Sequence, residues 1–347
     1  MTRFAPPHRG VSECYFGMEN RLNAGAATIE LNTPVPGPTE AIVPRLRGVS
    51  ETQLAAAYAA CRDITRERAR NFYYGLRLTP EPRRSAIYSI YAWMRSADDE
   101  ADAHAPAARR HAALRAFRDR TDAILRGEPI PADSAPFWTA FAATVQSYPV
   151  QPYIFRDMLD GLDEDLETVG YRTDEQLSRY CYRVAGTAGL ACVWIWGLRN
   201  GVDAAHAQDL ALRRGQAFQR TNILRDFAQD FDETPSRVYI PADAFAEHRV
   251  TPADVRAWAH PDRCAALVLR QAAITREHYR ASEELQSLID PGCAPTLWAM
   301  TRIYSGLLAL IEQDPSRVSG NRRIRLPGAR KASIAISAAL WARVGRW

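Results

Sequence analysis

The chain has 347 residues, 47% of them hydrophobic and 24% charged, which is the composition of an ordinary globular protein. Its formal net charge of only +4 gives no reason to expect a nucleic-acid partner, and it contains no run of roughly eighteen apolar residues that would span a membrane. Neither a signal-peptide core nor regularly paired cysteines are present, so we expect reduced thiols, no zinc site and a cytoplasmic protein.

The N-terminal segment is rich in proline and lacks hydrophobic periodicity, which predicts a disordered extension over residues 1–48. Met18 offers an alternative start, so whether residues 1–17 belong to the natural protein stays open. Beyond this segment we expect one all-α domain over residues 49–335 and an amphipathic tail over residues 336–347.

Helical periodicity runs through nearly the whole domain, whereas strand-like alternation is almost absent. The pattern and its Pro, Gly and capping signals predict helices over residues 51–75, 82–103, 106–126, 136–147, 151–166, 174–199, 204–231, 252–257, 261–289 and 293–313. The chain has neither the glycine-rich dinucleotide motif nor the phosphate-binding-loop motif, which disfavours nucleotide folds. We therefore predict a helical bundle with its cavity inside.

Two acidic clusters, about 120 residues apart, suggest the chemistry of the site. Asp98 and Asp102 are four residues apart, and the same interval separates Asn222 from Asp226 and Asp226 from Asp230. Each set therefore projects from one face of a helix. Like charges at this spacing destabilise an isolated helix by about 0.2–0.5 kcal/mol per pair, and a divalent cation offsets that repulsion. Magnesium prefers oxygen ligands and binds through one or two carboxylates together with substrate phosphates. We therefore predict two metal-binding walls that face each other across a diphosphate site.

The alternative interpretation is that both clusters are solvated helix faces. Their surroundings argue against it, because residues 86–94 before the first cluster are almost wholly apolar. The second cluster is surrounded by Ala217, Phe218, Ile223, Leu224 and Phe227. Carboxylates on helices that are buried over much of their circumference need partners.

Several segments, in the right order, resemble the signature sequences of the squalene and phytoene synthases. The first signature is matched by residues 71–78, 82–84 and 90–102, the second by residues 219–226, 230 and 237–241, and the segment between them by residues 180–189. The tail around residues 304–315 resembles the bacterial branch, and the whole match covers roughly residues 51–335. The resemblance implies the isoprenoid-synthase fold, an all-α bundle around a central cavity.

The resemblance also implies a magnesium-dependent reaction, with manganese as a substitute, that joins two allylic diphosphates head-to-head through a cyclopropyl diphosphate. We favour farnesyl diphosphate and a C30 product of the presqualene diphosphate or squalene type, with geranylgeranyl diphosphate and phytoene next. Use of NADPH stays open, because squalene-forming members need no dinucleotide motif for it. Arg220 occupies a position that is usually apolar in the family, which leaves the product in doubt. Two alternatives remain: a class I terpene cyclase acting on one prenyl diphosphate, and a non-catalytic helical scaffold.

Charged and polar residues beside the clusters are candidates for handling the diphosphate. Arg95 lies three residues before Asp98 on the same helix face and suits a phosphate contact. Arg225 can pair with the carboxylate that follows it or with phosphate, and the sequence does not decide between these partners. Arg237 and Tyr239 follow the second helix, where they either close over the diphosphate or only stabilise a loop.

A carbocation intermediate needs a dry pocket lined by aromatic rings. Candidates by position are Phe72, Tyr91, Tyr180, Phe218 and Tyr304, although ordinary core packing explains any one of them equally well. The small residues between Val184 and Gly189 either leave room for a prenyl chain or allow two helices to pack closely. By resemblance, Gln219 is a polar pocket residue and Tyr180 acts near the diphosphate. Tyr180, Arg225 and Tyr239 form the predicted catalytic set.

A basic cluster near the C-terminus precedes an apolar end. The basic residues are Arg317, Arg322, Arg323, Arg325, Arg330 and Lys331, and the apolar ones are Ile334, Ile336, Leu340, Trp341, Val344 and Trp347. A basic amphipathic segment with tryptophan is typical of a membrane interface, so we predict peripheral attachment to the inner face of the membrane. A surface helix packed on the domain is the alternative, and some of the basic residues can instead reach the diphosphate.

Overall fold

The structure is a computed structural model that describes residues 44–69, 71–101, 105–168 and 170–344. The predicted extension over residues 1–48 lies almost wholly outside the described residues, as does the predicted metal ligand Asp102. The side chain of Phe72 is also outside the described part of the chain.

The described residues form an all-α structure, which confirms the predicted fold class. The helices are α1 (Glu51–Arg68), α2 (Asn71–Leu76), α3 (Arg83–Ala101), α4 (Ala107–Leu125), α5 (Pro136–Ser147), α6 (Pro152–Asp165), α7 (Asp174–Cys181), α8 (Thr187–Trp196), α9 (Ala204–Asp232), α10 (Ala242–Glu247), α11 (Pro252–Ala257), α12 (Pro261–Ala281), α13 (Leu285–Leu288), α14 (Ala294–Gln313) and α15 (Gly328–Val344). A π-helical turn, Tyr182–Gly186, joins α7 to α8, and a 3₁₀ turn, Pro315–Ser319, follows α14. Within the described ranges, the only strand-like pairings are two isolated bridges.

Most helix starts follow from local sequence signals. Ser50 and Thr173 each begin a helix with a capping box, in which the side chain three residues later bonds back to the cap. The Oδ1 atom of Asp203 caps α9 by accepting a hydrogen bond from the backbone N–H of Ala205 at 2.9 Å. The Thr173 cap places the start of α7 at Asp174, where the sequence predicts that a helix begins.

Three predicted helices are shorter than expected. The helix predicted over residues 51–75 is two helices, because α1 ends at Arg68 and α2 starts at Asn71. The one predicted over residues 174–199 is interrupted by the π-helical turn between α7 and α8, and α8 ends at Trp196. The next residue, Gly197, has a φ of +78°, which glycine adopts readily but which is strained for other residues. The one predicted over residues 261–289 ends with Ala281.

Two features that follow α9 in the chain differ from the prediction. The short helix α10 was not predicted; it is only six residues long, which gives hydrophobic periodicity little to work with. Helix α15 is continuous from Gly328, so the predicted tail boundary at residue 336 falls inside it. Helix α15 packs on α14 through the buried residues Ile334 and Ala338 and through Trp341, whose ring is edge-on to Trp298.

Helix α3, which carries the first acidic cluster, is fixed by an aromatic core. Trp93 is completely buried, with its ring centroid 5.3 Å from that of Phe141 and 5.0 Å from that of Phe155. Its indole N–H donates to the hydroxyl of Thr121 at 3.0 Å, so no polar atom of this side chain is left unpaired. This packing holds the C-terminal end of α3 in a defined position.

Glycines let α9 approach the π-helical turn and α8 closely. A Cβ atom on Gly215 would lie 2.7 Å from the carbonyl oxygen of Ala185, and 2.8 Å from the backbone N and Cα of Gly186. A Cβ atom on Gly189 would lie 2.9 Å from the carbonyl oxygen of Ala211. The close-packing alternative for the small-residue segment is therefore confirmed.

In the described ranges, none of the helices combines the length and apolarity needed to cross a bilayer.

Candidate active site

A cavity of about 200 Å³ lies within the bundle, as predicted. Its wall is contributed mainly by α3, α8, α9 and α14 and is mostly apolar. The predicted residues among its lining are Tyr91, Val184, Gly189, Phe218, Gln219 and Asn222. The small-residue segment thus packs against α9 on one side and faces the cavity on the other.

One face of α9 runs along this cavity. Ala211, Gly215, Phe218 and Asn222 all line it, at the helical spacing of three to four residues. With a rise of 1.5 Å per residue, these positions span about 16 Å. Asp226 follows one turn beyond Asn222, so the apolar cavity leads toward the second acidic cluster.

The predicted aromatic lining is found only in part. Tyr91 and Phe218 line the cavity, whereas Tyr180 and Tyr304 do not. Tyr304 is buried behind Phe218, with ring centroids 4.8 Å apart. Trp196, which the sequence did not single out, lines the cavity at the C-terminal end of α8.

In the first acidic cluster, arginines are already paired with the carboxylates. Arg95 donates to Asp98 Oδ2 at 2.5 Å and also bonds to Asp99. Arg68, from α1, donates to Asp99 at 2.5 Å. Asp98 keeps 39% of its side-chain surface exposed, so its oxygens remain accessible to a cation or to a phosphate-bound metal. The structure thus brings Arg95 and Asp98 together, as the sequence predicts.

In the second cluster, Asp226 is held by two arginines. Arg225 contacts its two oxygens at 2.8 and 2.5 Å, and Arg323 contacts them at 2.7 and 2.6 Å. Burial alone would raise the pKa of Asp226, but the hydrogen bonds from Arg225 and Arg323 outweigh it and hold that pKa below its usual value. Of the two partners left open for Arg225, this structure shows the carboxylate. Arg323 belongs to the basic cluster near the C-terminus, and the sequence alone does not indicate that this member of the cluster contacts Asp226.

The other two members of the second cluster lack such partners. The Oδ1 atom of Asn222 is buried without a hydrogen-bonding partner, and its amide nitrogen lies 3.3 Å from the Oε1 of Gln219. Burial and the nearby charges of Asp226 and Glu233 raise the pKa of Asp230 to about 7. An orphaned amide oxygen and a half-buried carboxylate on one helix face match the donor set that a hard divalent cation requires.

No set of three or more Asp, Glu, His or Cys side chains converges as a ready metal site within the described ranges, from which Asp102 is missing. A cation bound here would take few ligands from the protein and the rest from phosphate oxygens and water. That is the usual manner in which magnesium binds to proteins.

A third group of side chains lies where the loop after α9 meets the end of α6. The ring of Tyr239 stacks on that of Tyr180, with centroids 5.2 Å apart, and Tyr171 packs beside both. Arg237 lies 3.4 Å from Asp165, and the hydroxyl of Tyr239 is 3.3 Å from each oxygen of the same carboxylate. Burial, together with the negative charge of Asp165, raises the pKa of Tyr180 and that of Tyr239, so both phenols are protonated at neutral pH.

Sequence analysis missed Asp165 because nothing distinguishes it locally. It lies in an acidic stretch, residues 160–167, whose other carboxylates look like an ordinary solvated helix face. The only signal is its place at the end of α6, which acquires meaning once the partner loop is known.

Comparison with known proteins identifies the family. The family model described as squalene/phytoene synthase matches residues 65–330. The chain belongs to the squalene/phytoene synthase family.

Relatives in this family cover most of the chain. The phytoene synthase of Mycobacterium tuberculosis is 35% identical over 290 residues, which are 83% of this chain and 92% of the relative. The 15-cis-phytoene synthase of Synechocystis sp. is 31% identical over 283 residues, 79% of this chain and 82% of the relative. The similarity therefore extends over most of this chain and most of each relative.

Solved structures show the same fold at lower identity. A dehydrosqualene synthase in complex with a ligand superposes with a TM-score of 0.72 at 24% identity, covering 84% of this chain and 98% of that one. A squalene synthase from Alicyclobacillus acidocaldarius superposes with a TM-score of 0.68 at 24% identity, covering 76% and 96%. The isoprenoid-synthase fold expected from the resemblance is confirmed.

Membership in the squalene/phytoene synthase family makes the chain a prenyltransferase. The family acts on isoprenyl diphosphates, condenses them head-to-head, and generally uses a divalent metal to ionise the diphosphate. The described cavity is an apolar environment of the kind that such a reaction needs, and α9 carries the second acidic cluster beyond it.

Proposed function

We propose that this prenyltransferase condenses two molecules of geranylgeranyl diphosphate head-to-head, through a cyclopropyl diphosphate, to a phytoene-type C40 product. The observation that carries the reaction type is the apolar cavity along α9 that leads to Asn222, Asp226 and Asp230. The chain length is supported by relatives at 35% and 31% identity that are phytoene synthases. The farnesyl preference inferred from the sequence becomes the second candidate, since the solved C30-forming neighbours, at 24% identity, support the fold alone.

Magnesium, with manganese as a substitute, would neutralise the diphosphate as it leaves. Asp98 and Asp102 on one wall, and Asn222, Asp226 and Asp230 on the other, are the residues proposed to hold it.

The protein's own cations surround the place where the diphosphate would lie. Arg95 is beside Asp98, Arg225 and Arg323 are beside Asp226, and Arg237 follows α9. Transferring their hydrogen bonds from carboxylate to phosphate oxygens would stabilise the developing negative charge of the leaving group.

The cavity wall would protect the cationic prenyl chain. Its lining is mostly apolar, so few water molecules have hydrogen-bonding partners there that would hold them close to a carbocation. Tyr91 and Phe218 are aromatic residues of the lining that could stabilise a cation, and Gln219 is a polar group of the same lining beside Asn222. Tyr180, protonated and held by Tyr239, is proposed to act close to the diphosphate rather than along the hydrocarbon tail.

The test is to supply purified protein with magnesium and either geranylgeranyl or farnesyl diphosphate, with and without NADPH, and to identify extracted products by mass spectrometry. A C40 product without NADPH supports the proposal, and a C30 product from farnesyl diphosphate supports the second candidate, with NADPH dependence showing reduction to squalene. A C20 or C15 hydrocarbon would make the protein a cyclase of single diphosphates. Absence of magnesium-dependent diphosphate release would favour the scaffold alternative.

Replacing Arg323 tests the assignment of this side chain to the site. Arg323→Gln removes one of the two cations on Asp226, and we expect kcat/KM to fall about tenfold, which is the worth of one charge-assisted hydrogen bond. Arg322→Gln is the matched control, because Arg322 is an exposed neighbour in the same loop. Equal effects of the two substitutions would show that only the net charge of the loop matters.

Peripheral membrane attachment through α15 is part of the proposal. One side of this helix packs on α14, while Ile336 and Leu340 are 60% and 55% exposed and Trp341 is 37% exposed. Arg330 and Lys331 lie near the start of this helix, and Arg343 lies in its last turn. All five described cysteines are free thiols, which supports the reducing cytoplasmic side as the side of attachment.

Charged residues on this face should abolish vesicle binding. The double substitution Ile336→Asp and Leu340→Asp is expected to move the protein from the pellet to the supernatant in sedimentation with vesicles rich in phosphatidylglycerol. Leu269→Asp, at an apolar position on α12 that is 42% exposed, is the control and should leave binding unchanged. Loss of binding in both proteins would indicate a general charge effect.

A further inference from the structure

A single carboxylate lies where three predicted functional side chains meet. Asp165 is the last residue of α6, and its side chain is 16% exposed. It accepts a hydrogen bond from the Tyr239 hydroxyl at 3.3 Å and pairs with Arg237 at 3.4 Å. Tyr239 in turn stacks on Tyr180, whose hydroxyl is hydrogen-bonded to it. Asp165 therefore contacts Arg237 and Tyr239 directly and is connected to Tyr180 through the ring of Tyr239.

The backbone of the same loop is fixed from the same place. The loop after α9 forms an isolated bridge between Val238 and Gly170, and a Cβ on Gly170 would lie 2.8 Å from the Val238 carbonyl oxygen. Next to this bridge, the backbone N–H of Arg237 donates to the carbonyl oxygen of Asp230 at 2.8 Å. The connection between α6 and α7 thus sets the position of the loop and its distance from the second acidic cluster.

Backbone anchoring does not orient the side chains. An arginine has about 2 kcal/mol of rotamer entropy to lose, so a loop arginine without a partner samples many orientations. Arg237 and Tyr239 are two residues apart in a non-helical segment, so both can face the same carboxylate. The ion pair with Asp165 restricts the orientations of the Arg237 side chain. Arg237 is held close enough to Asp230 for its positive charge to act on that carboxyl group.

We propose that Asp165 is a positioning residue of the coupling reaction, which orients Arg237 and Tyr239 toward a diphosphate bound at the second acidic cluster. This assignment rests on the proposed function of that cluster. Asp165 itself does not contact the substrate; it acts through its two partners.

The neighbouring acids supply a matched control. Asp163, in the same turn of α6, pairs with His111 at 2.9 Å, and Glu164 pairs with Arg183 at 2.5 Å. Asp163 is half exposed, and its ion pair is with His111 on α4 rather than with Arg237. Asp163→Asn therefore removes the same charge from the same helix turn without disturbing Arg237 or Tyr239.

Binding of inorganic diphosphate in the presence of magnesium, measured by calorimetry, separates charge from position. If Asp165 contributed only negative charge, Asp165→Asn would tighten binding of this anion, because a repulsive charge is lost. Because it orients Arg237, we expect binding to weaken about tenfold instead. Asp163→Asn is expected to leave the affinity unchanged or slightly tighter. Tighter or unchanged binding by Asp165→Asn would overturn the proposal.

Kinetics supply the second readout. We expect Asp165→Asn to lower kcat by about tenfold to a hundredfold with little change in KM, since the missing orientation matters most when the diphosphate leaves. Asp165→Glu, which keeps the charge but moves it by one methylene, should recover part of the loss and serves if the Asn variant loses its helical circular dichroism. In an Arg237→Met background, Asp165→Asn should have little further effect. Full additivity of the two substitutions would contradict a role exerted through Arg237.

The binding arm also separates this inference from the proposed function. If the wild-type protein binds magnesium diphosphate but couples no prenyl diphosphate, the proposed reaction is wrong. The effect of Asp165→Asn on the affinity for diphosphate would still test the role of Asp165. A wild-type protein that binds no magnesium diphosphate would overturn both.

Discussion

Asp226→Asn is expected to lower magnesium-dependent diphosphate release by about a thousandfold or more. The carboxylate is proposed to bind the metal at the end of the prenyl cavity, and an amide binds a divalent cation far more weakly than a carboxylate does. The measurement is release of diphosphate from geranylgeranyl diphosphate in a coupled assay. Circular dichroism of the same sample should keep its helical signal, because the substitution preserves side-chain shape.

The Asn variant should also be somewhat less stable. Arg225, whose side chain is only 8% exposed, and Arg323 lose the negative charge that they share. We expect the free energy of unfolding to fall by about 1–3 kcal/mol, the range for a hydrogen bond to a charged group. Asp232→Asn is the control, since Asp232 lies on the same helix, is half exposed and pairs with Arg256. Wild-type turnover by the Asp226→Asn protein would contradict the proposal that Asp226 binds the metal.

Gly215→Ala is expected to destabilise the protein by about 2–3 kcal/mol, the cost of overpacking a rigid interface. The added Cβ would lie at 2.7–2.8 Å from backbone atoms of Ala185 and Gly186, and a backbone cannot move aside as a flexible side chain can. Thermal and urea unfolding followed by circular dichroism would measure the change.

The same substitution should alter the cavity, because Ala185 and Gly215 both line it. Separating the π-helical turn from α9 by a few tenths of an ångström would change the wall proposed to hold the prenyl chain, so we expect a higher KM for geranylgeranyl diphosphate. Gly328→Ala is the control, since no atom lies within 4 Å of the position that its Cβ would take. Stability equal to wild type for Gly215→Ala would show that the two helices can shift without cost.

The fold could be predicted from sequence because its signals are local. Long stretches with a 3.6-residue period, prolines in first turns and capping residues such as Thr173 define most helices to within a few residues. The break between α1 and α2 could not be predicted, because residues 68–71 are compatible with a continuing helix. The π-helical turn at residues 182–186 likewise depends on packing against α6 and α9, which no local pattern contains.

The candidate site divides in the same way. Helical spacing is sufficient to bring Asn222, Asp226 and Asp230 to one face, and Arg95 to Asp98, since each set lies on one helix. Arg323 reaches Asp226 across 97 positions in the chain, and Asp165 reaches Tyr239 across 74. Contacts of that kind depend on the path of the loops, so the sequence could show only that suitable residues exist.

The place of Arg323 in the chain has a practical consequence for shortened or fused versions of this enzyme. Arg323 lies in the loop between the 3₁₀ turn and α15, with Gly328 as the first residue of that helix. A truncation at residue 327 would remove the exposed apolar helix and keep the arginine, whereas one at Gln313, the end of α14, would remove both. Two deletions only fourteen residues apart would therefore have different effects. The first would test the proposed membrane attachment while leaving Arg323 in place, whereas the second would also change the charge balance around Asp226.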